Sequence, residues 1–85
     1  MMNIYQQIVN KKLHNITAEE LMKYSGEYNI SLTPDQAKKV SALLQSKKVN
    51  VFNTSERIQL MKEVAKITGH ETAKKVNQLF LEFTK

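Results

Sequence analysis

Four pairs of adjacent lysines are the residues of this sequence best suited to binding chemistry, and they lie at 11–12, 38–39, 47–48 and 74–75. Lysine ammonium groups attract phosphate and carboxylate groups as point charges. The doublets at 38–39 and 74–75 each follow an acidic residue by three or four positions, a spacing that produces ordinary ion pairs on a helix surface. The remaining cations are therefore the candidates for contact with an anionic partner.

The excess positive charge is concentrated in the second half of the chain. Residues 1–46 contain five basic and four acidic residues, hence +1, whereas residues 47–85 contain eight and four, hence +4. A basic surface around the start of the fourth predicted helix would neutralise the phosphates of a nucleic acid or a nucleoprotein. A solvated basic surface without a partner is the alternative. The candidate nucleic-acid-binding residues are Lys47, Lys48, Arg57, Lys62 and Lys66.

The residue types indicate what kind of contact such a surface could make. Lysine supplies twelve of the thirteen cations and arginine one, although arginine is the residue suited to two-pronged contacts with bases or phosphates. No aromatic residue alternates with the lysines as a platform on which bases could stack. If the protein binds nucleic acid, we expect contacts to the nucleic-acid backbone without strong sequence preference.

The remaining polar residues do not indicate catalysis or metal binding. The two histidines, His14 and His70, have no second histidine or cysteine at the spacing of metal ligands. The chain has no cysteine, which excludes disulfides, thiolate metal sites and cysteine nucleophiles. It also has no glycine-rich phosphate loop and no nucleophile–base pair. We expect a protein that is not an enzyme, without cofactor, metal ligand or small-molecule substrate.

The composition predicts the kind of fold that positions these cations. With 85 residues, 41% of them hydrophobic, the chain is long enough for one small domain and too apolar for a disordered chain. Two glycines and one proline are few for the tight turns of an all-β fold. We expect a single all-α domain of about five short amphipathic helices. The predicted segments are an N-terminal helix (1–14), a first helical hairpin (17–46), a linker (47–53) and a second helical hairpin (54–85).

Helix-start motifs predict where three of these helices begin. The segments TAEE at 17–20 and TPDQ at 33–36 have the spacing of a capping box, in which side chains and backbone amides of the first turn bond reciprocally. Asn53 precedes a glutamate by the same three residues, and Gly69 is expected to end the fourth helix as a left-handed cap. The linker is expected to be extended, with its valines and phenylalanine held on the core.

Apolar periodicity predicts which side of each helix is buried. In the N-terminal helix, Ile4, Tyr5, Ile8 and Val9 recur at the i, i+4 spacing and are expected to face the core. Leu81 lies on the opposite side of the last helix from its apolar residues, and it is a candidate contact to a protein partner or a second copy. Other residues expected on buried faces are Leu21, Tyr24, Tyr28, Ala37, Val40, Leu43, Leu44, Ile58, Leu60, Met61, Val64, Ala65, Ile67, Ala73, Val76, Leu79, Phe80 and Phe83.

The two predicted hairpins resemble each other in sequence. The segment AKKV begins at residue 37 in the first hairpin and at residue 73 in the second, and LMK occurs upstream of it at 21–23 and 60–62. Duplication of one helical hairpin would explain the similarity. Convergence of two lysine-rich amphipathic helices on a common pattern is the interpretation we favour, because such patterns repeat easily, and duplication stays open.

Four segments occur in a characteristic order along the chain: NIYQQIVNKKL, ITAEELMKYS, VNVFN followed by SER, and TAKKVNQLFLEF. As a set they resemble the YqfT-like family of small uncharacterised proteins from Bacillus and its relatives, over nearly the whole chain. That resemblance implies a cytoplasmic bacterial protein and no particular mechanism. Locally, residues 17–47 are similar to helix-extended-helix modules of the SAP and LEM type, and residues 67–76 to the helix-hairpin-helix element. Both of these resemblances imply contact with DNA or DNA-associated proteins.

Together, these observations favour a non-catalytic cytoplasmic binding protein. Its expected partner is a nucleic acid or a nucleoprotein, and the alternative is a protein-interaction or self-associating module without nucleic-acid contact. The N-terminal residues lack the basic and apolar regions of a signal peptide. No apolar stretch approaches the roughly 20 residues of a membrane span, so we expect no membrane association.

Overall fold

The structure, a computed structural model, describes the backbone of residues 3–83 and the side chains of residues 3–82. It consists of five α-helices: α1 (Ile4–His14), α2 (Ala18–Glu27), α3 (Pro34–Lys47), α4 (Thr54–Thr68) and α5 (His70–Phe83). Residues 3–83 contain no β-strand, so the predicted all-α fold is confirmed. The expected burial of Phe83 concerns a side chain outside the described ones.

Polar side chains explain why four of the helices begin where they do. Thr17 and Thr33 each accept a hydrogen bond from the amide three residues later, and the residue there bonds back to the threonine amide. Both predicted capping boxes therefore form. Asn53 caps α4 and Asn3 caps α1, each through a bond from the amide three residues on, at 3.0 and 2.8 Å. These bonds satisfy amides that the helices themselves leave unpaired.

The central helix of the fold is α3, which packs against α1, α2 and α4, while α4 packs in turn against α5. A side-chain hydrogen bond of 2.8 Å from Gln45 Nε2 to the Ile16 carbonyl ties α3 to the connection between α1 and α2. One hydrophobic core results, and its buried residues are Leu13, Ile16, Leu21, Ile30, Leu32, Ala37, Val40, Leu44, Val51, Leu60, Val64, Ala73, Val76, Leu79 and Phe80.

The two hairpins, α2–α3 and α4–α5, bury corresponding residues of the sequence repeat. In four pairs of residues that align between the two hairpins, both members are buried, so the aligned residues occupy equivalent positions in the core. Both duplication and convergence would produce this agreement. The corresponding buried pairs are Leu21 with Leu60, Ala37 with Ala73, Val40 with Val76, and Leu44 with Phe80.

The first helix turns a different side to the core from the one its apolar periodicity predicts. Ile4, Tyr5 and Ile8 are exposed, and the fourth residue of the predicted face is half-buried. The buried residues of α1 are instead Asn10 and Leu13. The prediction for α1 was therefore wrong. Periodicity identifies an apolar face, but tertiary contacts decide whether that face is covered.

Hydrogen bonds between α1 and the α3–α4 connection hold α1 in this rotation. The buried Asn10 accepts a bond of 3.0 Å from the Val51 amide and donates one of 2.8 Å to Asn50 Oδ1. One turn later, His14 Nε2 lies 2.9 Å from the Val49 carbonyl, to which it donates. The fold therefore buries Asn10, a polar residue in the middle of α1, instead of the apolar residues at the start of that helix.

The connection between α3 and α4 differs from the predicted extended linker. Helix α3 continues through Lys47, so the connection begins at Lys48, which has a left-handed conformation with φ 49°. A hydrogen bond of 3.0 Å from the Asn53 amide to the Asn50 carbonyl closes a turn within this connection. Val51 is buried within that turn, as expected.

Gly69 ends α4, but not as the left-handed cap that the sequence predicts. Its φ of 92° and ψ of 160° lie in a region that is essentially restricted to glycine. Exposure also differs from prediction at Tyr28, the residue after α2, and at Ile58, in the second turn of α4. Both lie beyond the ends of the core stripes formed by the buried residues of their helices.

Candidate partner-binding groove

The structure divides the five predicted site residues among four places. Arg57 and Lys62 line a groove between α4 and α5. Lys47 ends α3 and lies 3.6 Å from a Glu63 carboxylate oxygen. Lys48 lines a separate polar pocket beside α1, and Lys66 is exposed on α4 one turn after Lys62, outside the groove.

The groove, of about 360 Å³, is formed by one face of each helix of the second hairpin. The spacing of its lining residues is helical, at i, i+1, i+4, i+5 and i+8 on α4, and at i, i+3, i+4 and i+7 on α5. On α5 this face overlaps the core stripe at the buried Ala73, whereas Lys74 beside it is exposed. The lining residues are Arg57, Ile58, Met61, Lys62, Ala65, His70, Ala73, Lys74 and Asn77.

The floor of the groove is apolar and partly open to solvent. Ile58 is exposed, while Met61 and Ala65 are half-buried and Ala73 is buried. The small residues Ala65 of α4 and Ala73 of α5 both form part of this floor. Exposed apolar floors of this kind are typical of surfaces that bind another molecule.

Arg57 is the most unusual residue of the groove. Its Nη1 donates a hydrogen bond of 3.2 Å to the Val51 carbonyl, which holds the side chain in place. Its Nε is buried and has no hydrogen-bond partner. Buried N–H groups of a guanidinium are rarely left without an acceptor, so Arg57 Nε is an unsatisfied donor that solvent does not reach.

The electrostatic character of the groove is uniformly basic. Its lining includes Arg57, Lys62, Lys74 and His70, and no carboxylate among the described residues that form it. The two acids of α4 bond elsewhere, Glu63 near Lys47 and the other with the Asn50 amide. The site can therefore attract carboxylate or phosphate groups while its floor contacts apolar groups.

Sequence reasoning missed the contribution of α5 to this site. Lys74 was assigned to local pairing with Glu71, but among the described residues no ion pair forms between them. The i,i+3,i+4,i+7 spacing of residues 70, 73, 74 and 77 contained the information that these side chains share a face. That spacing could not tell which face of α4 lies opposite.

Another cation without an acidic residue at helical spacing is paired between helices. Lys12 Nζ lies 2.6 Å from Glu20 Oε2, which joins α1 to the first turn of α2. The hydrogen bond from Lys12, assisted by that from the Thr17 amide, holds the pKa of Glu20 below its ordinary value. The same bond raises the pKa of Lys12.

Two other kinds of feature are absent from the part of the chain that the structure describes. No three histidine, cysteine, aspartate or glutamate side chains there come together as ligands for a metal ion. No helix there is both long enough and apolar enough to cross a bilayer.

Comparison with known proteins gives the family of the chain. Residues 1–84 match the family described as "Protein of unknown function (DUF2624)". The chain is 51% identical over 83 residues to "Uncharacterized protein YqfT" of Bacillus subtilis (strain 168), which covers 98% of this chain and 99% of that relative. No solved structure matches the chain. The predicted resemblance to the YqfT-like family is thus confirmed, and the chain belongs to the DUF2624 family.

Proposed function

We propose that this protein is a non-catalytic cytoplasmic interaction module that binds an acidic amphipathic helix of another protein in the α4–α5 groove. The observation that carries the proposal is the combination of an apolar floor with a rim of basic side chains. An apolar helix face would cover the floor, and carboxylates beside it would pair with the rim. Neither component alone would select such a ligand.

The dimensions of the groove support a helical ligand. Its α4 wall runs from Arg57 to Ala65, which corresponds to about 12 Å along the helix axis at 1.5 Å per residue. A segment of two to three turns matches that length. Apolar ligand residues at i, i+3 or i+4, and i+7 would lie on the floor, with glutamate or aspartate facing Lys62 and Lys74.

Nucleic-acid binding, the function favoured by the sequence, is the competing hypothesis. Lys62 and Lys74 could contact phosphates from the rim of the groove. The apolar floor and the partly buried Arg57 would contribute little to a phosphate backbone, however. The neighbouring Glu63 carboxylate also offsets part of the charge that Lys47 would offer to a phosphate. The groove therefore supports a protein ligand better.

A displayed library of random 15-residue peptides, selected on the purified protein, tests the proposal before the natural partner is identified. We expect the enriched sequences to combine acidic residues with apolar residues at helical spacing. One enriched peptide, synthesised with a fluorophore, then measures affinity by anisotropy. Enrichment of basic or unpatterned sequences would contradict the proposal.

Two double variants with the same change in net charge provide matched controls. The variant Lys62→Glu with Lys74→Glu alters the groove rim, whereas Lys66→Glu with Lys75→Glu alters exposed residues outside it. We expect peptide affinity to fall about tenfold or more for the first pair and less than about threefold for the second. Equal losses would indicate diffuse attraction rather than a groove.

The same anisotropy assay with labelled duplex DNA and with RNA tests the competing hypothesis of nucleic-acid binding. A nucleic-acid-binding surface predicts affinity that falls steeply with salt, by about 0.9 logarithmic units per phosphate contact for each tenfold rise in salt. We expect weak binding at low salt that both double variants reduce equally. If DNA or RNA binds tightly and only the variant with Lys62→Glu and Lys74→Glu loses this binding, the groove is a nucleic-acid site and the protein-ligand proposal is overturned.

A further inference from the structure

We propose that the polar pocket beside α1 binds a phosphate dianion, either as the free ion or as the monoester group of a small molecule. The pocket has a volume of about 320 Å³ and lies between α1 and the start of the α3–α4 connection. It shares no lining residue with the α4–α5 groove. A volume of this size is at the lower end of the range for small-molecule sites. The lining residues are Gln7, Asn10, Lys11, His14, Asn15 and Lys48.

Two lysine doublets of the sequence divide their side chains between ion pairs and this pocket. Lys12 and Lys47 each lie beside a glutamate carboxylate, at 2.6 and 3.6 Å. Their sequence neighbours, Lys11 and Lys48, line the pocket instead. Among the described residues, neither Lys11 nor Lys48 forms an ion pair. The fold therefore brings two uncompensated ammonium groups from distant parts of the chain to one pocket.

Hydrogen bonds fix the position of the two segments that form the pocket. Its five residues from α1 have the i, i+3, i+4, i+7, i+8 spacing of one helix face. Asn10 and His14, both on this face, bond to the Val51 amide and the Val49 carbonyl of the α3–α4 connection. Lys48 begins that connection with a left-handed backbone. The two lysines therefore extend from backbone segments that are tied to each other.

The charge of the pocket matches that of a phosphate monoester. No carboxylate is among the described residues that line it. Lys11 and Lys48 supply two positive charges, and a phosphate monoester has nearly two negative charges at pH 7. Lysine ammonium groups hold phosphate as point charges. A phosphodiester has one negative charge, so it would leave one of the two lysines uncompensated.

NMR titration with three probes at constant ionic strength tests the site. The probes are inorganic phosphate, ribose 5-phosphate and, as the control without phosphate, ribose. The chain has two histidines, of which His14 lines the pocket and His70 does not. We expect the ring protons of His14 to shift with both phosphates, with dissociation constants on the order of 1 mM, and those of His70 to change little. Ribose should shift neither histidine.

Each possible result of this titration has a definite meaning. Tighter binding of ribose 5-phosphate would identify a phosphorylated small molecule as the ligand, and tighter binding of inorganic phosphate would identify the free ion. Equal shifts of both histidines would indicate diffuse attraction of anions by a protein with a net charge of +5, and they would overturn the proposal. Absence of any shift with either phosphate would also overturn it.

Matched substitutions within one doublet test the role of Lys48. Lys48→Gly removes the ammonium group, and glycine readily adopts the left-handed backbone of this position. Lys47→Gln makes the same change in net charge outside the pocket. Loss of one charge-assisted hydrogen bond corresponds to about a tenfold or larger loss of affinity. We therefore expect Lys48→Gly to weaken phosphate binding by about tenfold or more and Lys47→Gln by less than about threefold.

The other doublet provides a second, independent pair of variants. Lys11→Gln should weaken phosphate binding about as much as Lys48→Gly does, whereas Lys12→Gln should have little effect, because Lys12 lies outside this pocket. Circular dichroism verifies that all four variants fold. Equal losses within each doublet, or no loss in any variant, would refute the assignment of the pocket.

Dimethyl phosphate, a phosphodiester, tests the argument from charge. With one negative charge, it should bind about tenfold more weakly than inorganic phosphate in the same titration. Equal or tighter binding of dimethyl phosphate would overturn the proposal of a dianion site and would indicate a surface for phosphodiesters.

Discussion

Replacement of Asn10 by alanine should strongly destabilise the fold although it removes no apolar group. Asn10 is 3% exposed, and its Oδ1 accepts a hydrogen bond of 3.0 Å from the amide of Val51, which is itself 1% exposed. In the Asn10→Ala variant that amide is buried without this acceptor. The Asn50 side chain retains its bond from the Phe52 amide, so most of the loss falls on Val51.

The magnitude follows from the cost of leaving a buried donor unpaired. That cost is about 1–3 kcal/mol, so we expect the free energy of unfolding to fall by about 2 kcal/mol. For a domain of this size, such a loss lowers the melting temperature by about 8–16 °C. Urea titration and thermal unfolding, both followed by circular dichroism at 222 nm, measure the two quantities.

Two further variants separate the hydrogen bond from the lost volume. Asn10→Leu restores side-chain volume but not the acceptor, so it should be destabilised nearly as much as Asn10→Ala. Asn15→Ala removes an exposed asparagine that bonds only to a carbonyl of its own helix, and it should change stability by less than about 0.5 kcal/mol. Wild-type stability in Asn10→Leu would refute the argument that the Val51 amide requires this partner.

Further predictions concern α2 and the end of α4. Glu20→Gln keeps the cap but removes the ion pair with Lys12. Because folding lowers the pKa of Glu20, the ion pair stabilises the fold fully when the pH is above the pKa of Glu20 in the unfolded chain. This stabilisation disappears as the pH falls through the pKa of Glu20 in the folded protein. The difference in unfolding free energy between wild type and this variant should therefore shrink between about pH 6 and about pH 2, and a constant difference would contradict the pairing. Gly26→Ala, where an added Cβ meets nothing within 4 Å, should stabilise α2 by about 0.5–1 kcal/mol. Gly69→Ala should destabilise the protein by about 1–3 kcal/mol because its φ is 92°, and equal urea midpoints for the two alanine variants would be contrary to both expectations.

Salt gives a further test of the groove. Binding of an acidic helix there depends on the attraction of Lys62 and Lys74, so its affinity should fall as the salt concentration rises. An affinity that does not change with salt would contradict the role of these two lysines.

The sequence by itself determined which segments are helical and where most of them begin. The capping boxes at Thr17 and Thr33 involve residues only three positions apart, so the local sequence is enough to predict them. The stripes around Val40 and Val76 were equally predictable, because each helix has one continuous apolar face to bury. The family followed from the order of such segments along the chain.

Only the tertiary structure decided the rotation of α1 and the grouping of the cations. The apolar face of α1 is exposed because the core side of the helix contains the polar residue Asn10. Burial of Asn10 is favourable only because its side chain accepts a hydrogen bond from the Val51 amide, 41 residues away in the sequence. Likewise, packing between helices places Lys47 beside Glu63. The same packing places Arg57 in a groove that α5 helps to form. Local spacing describes neighbours within one helix, whereas hydrogen bonds and charges also respond to neighbours that only the assembled fold brings within reach.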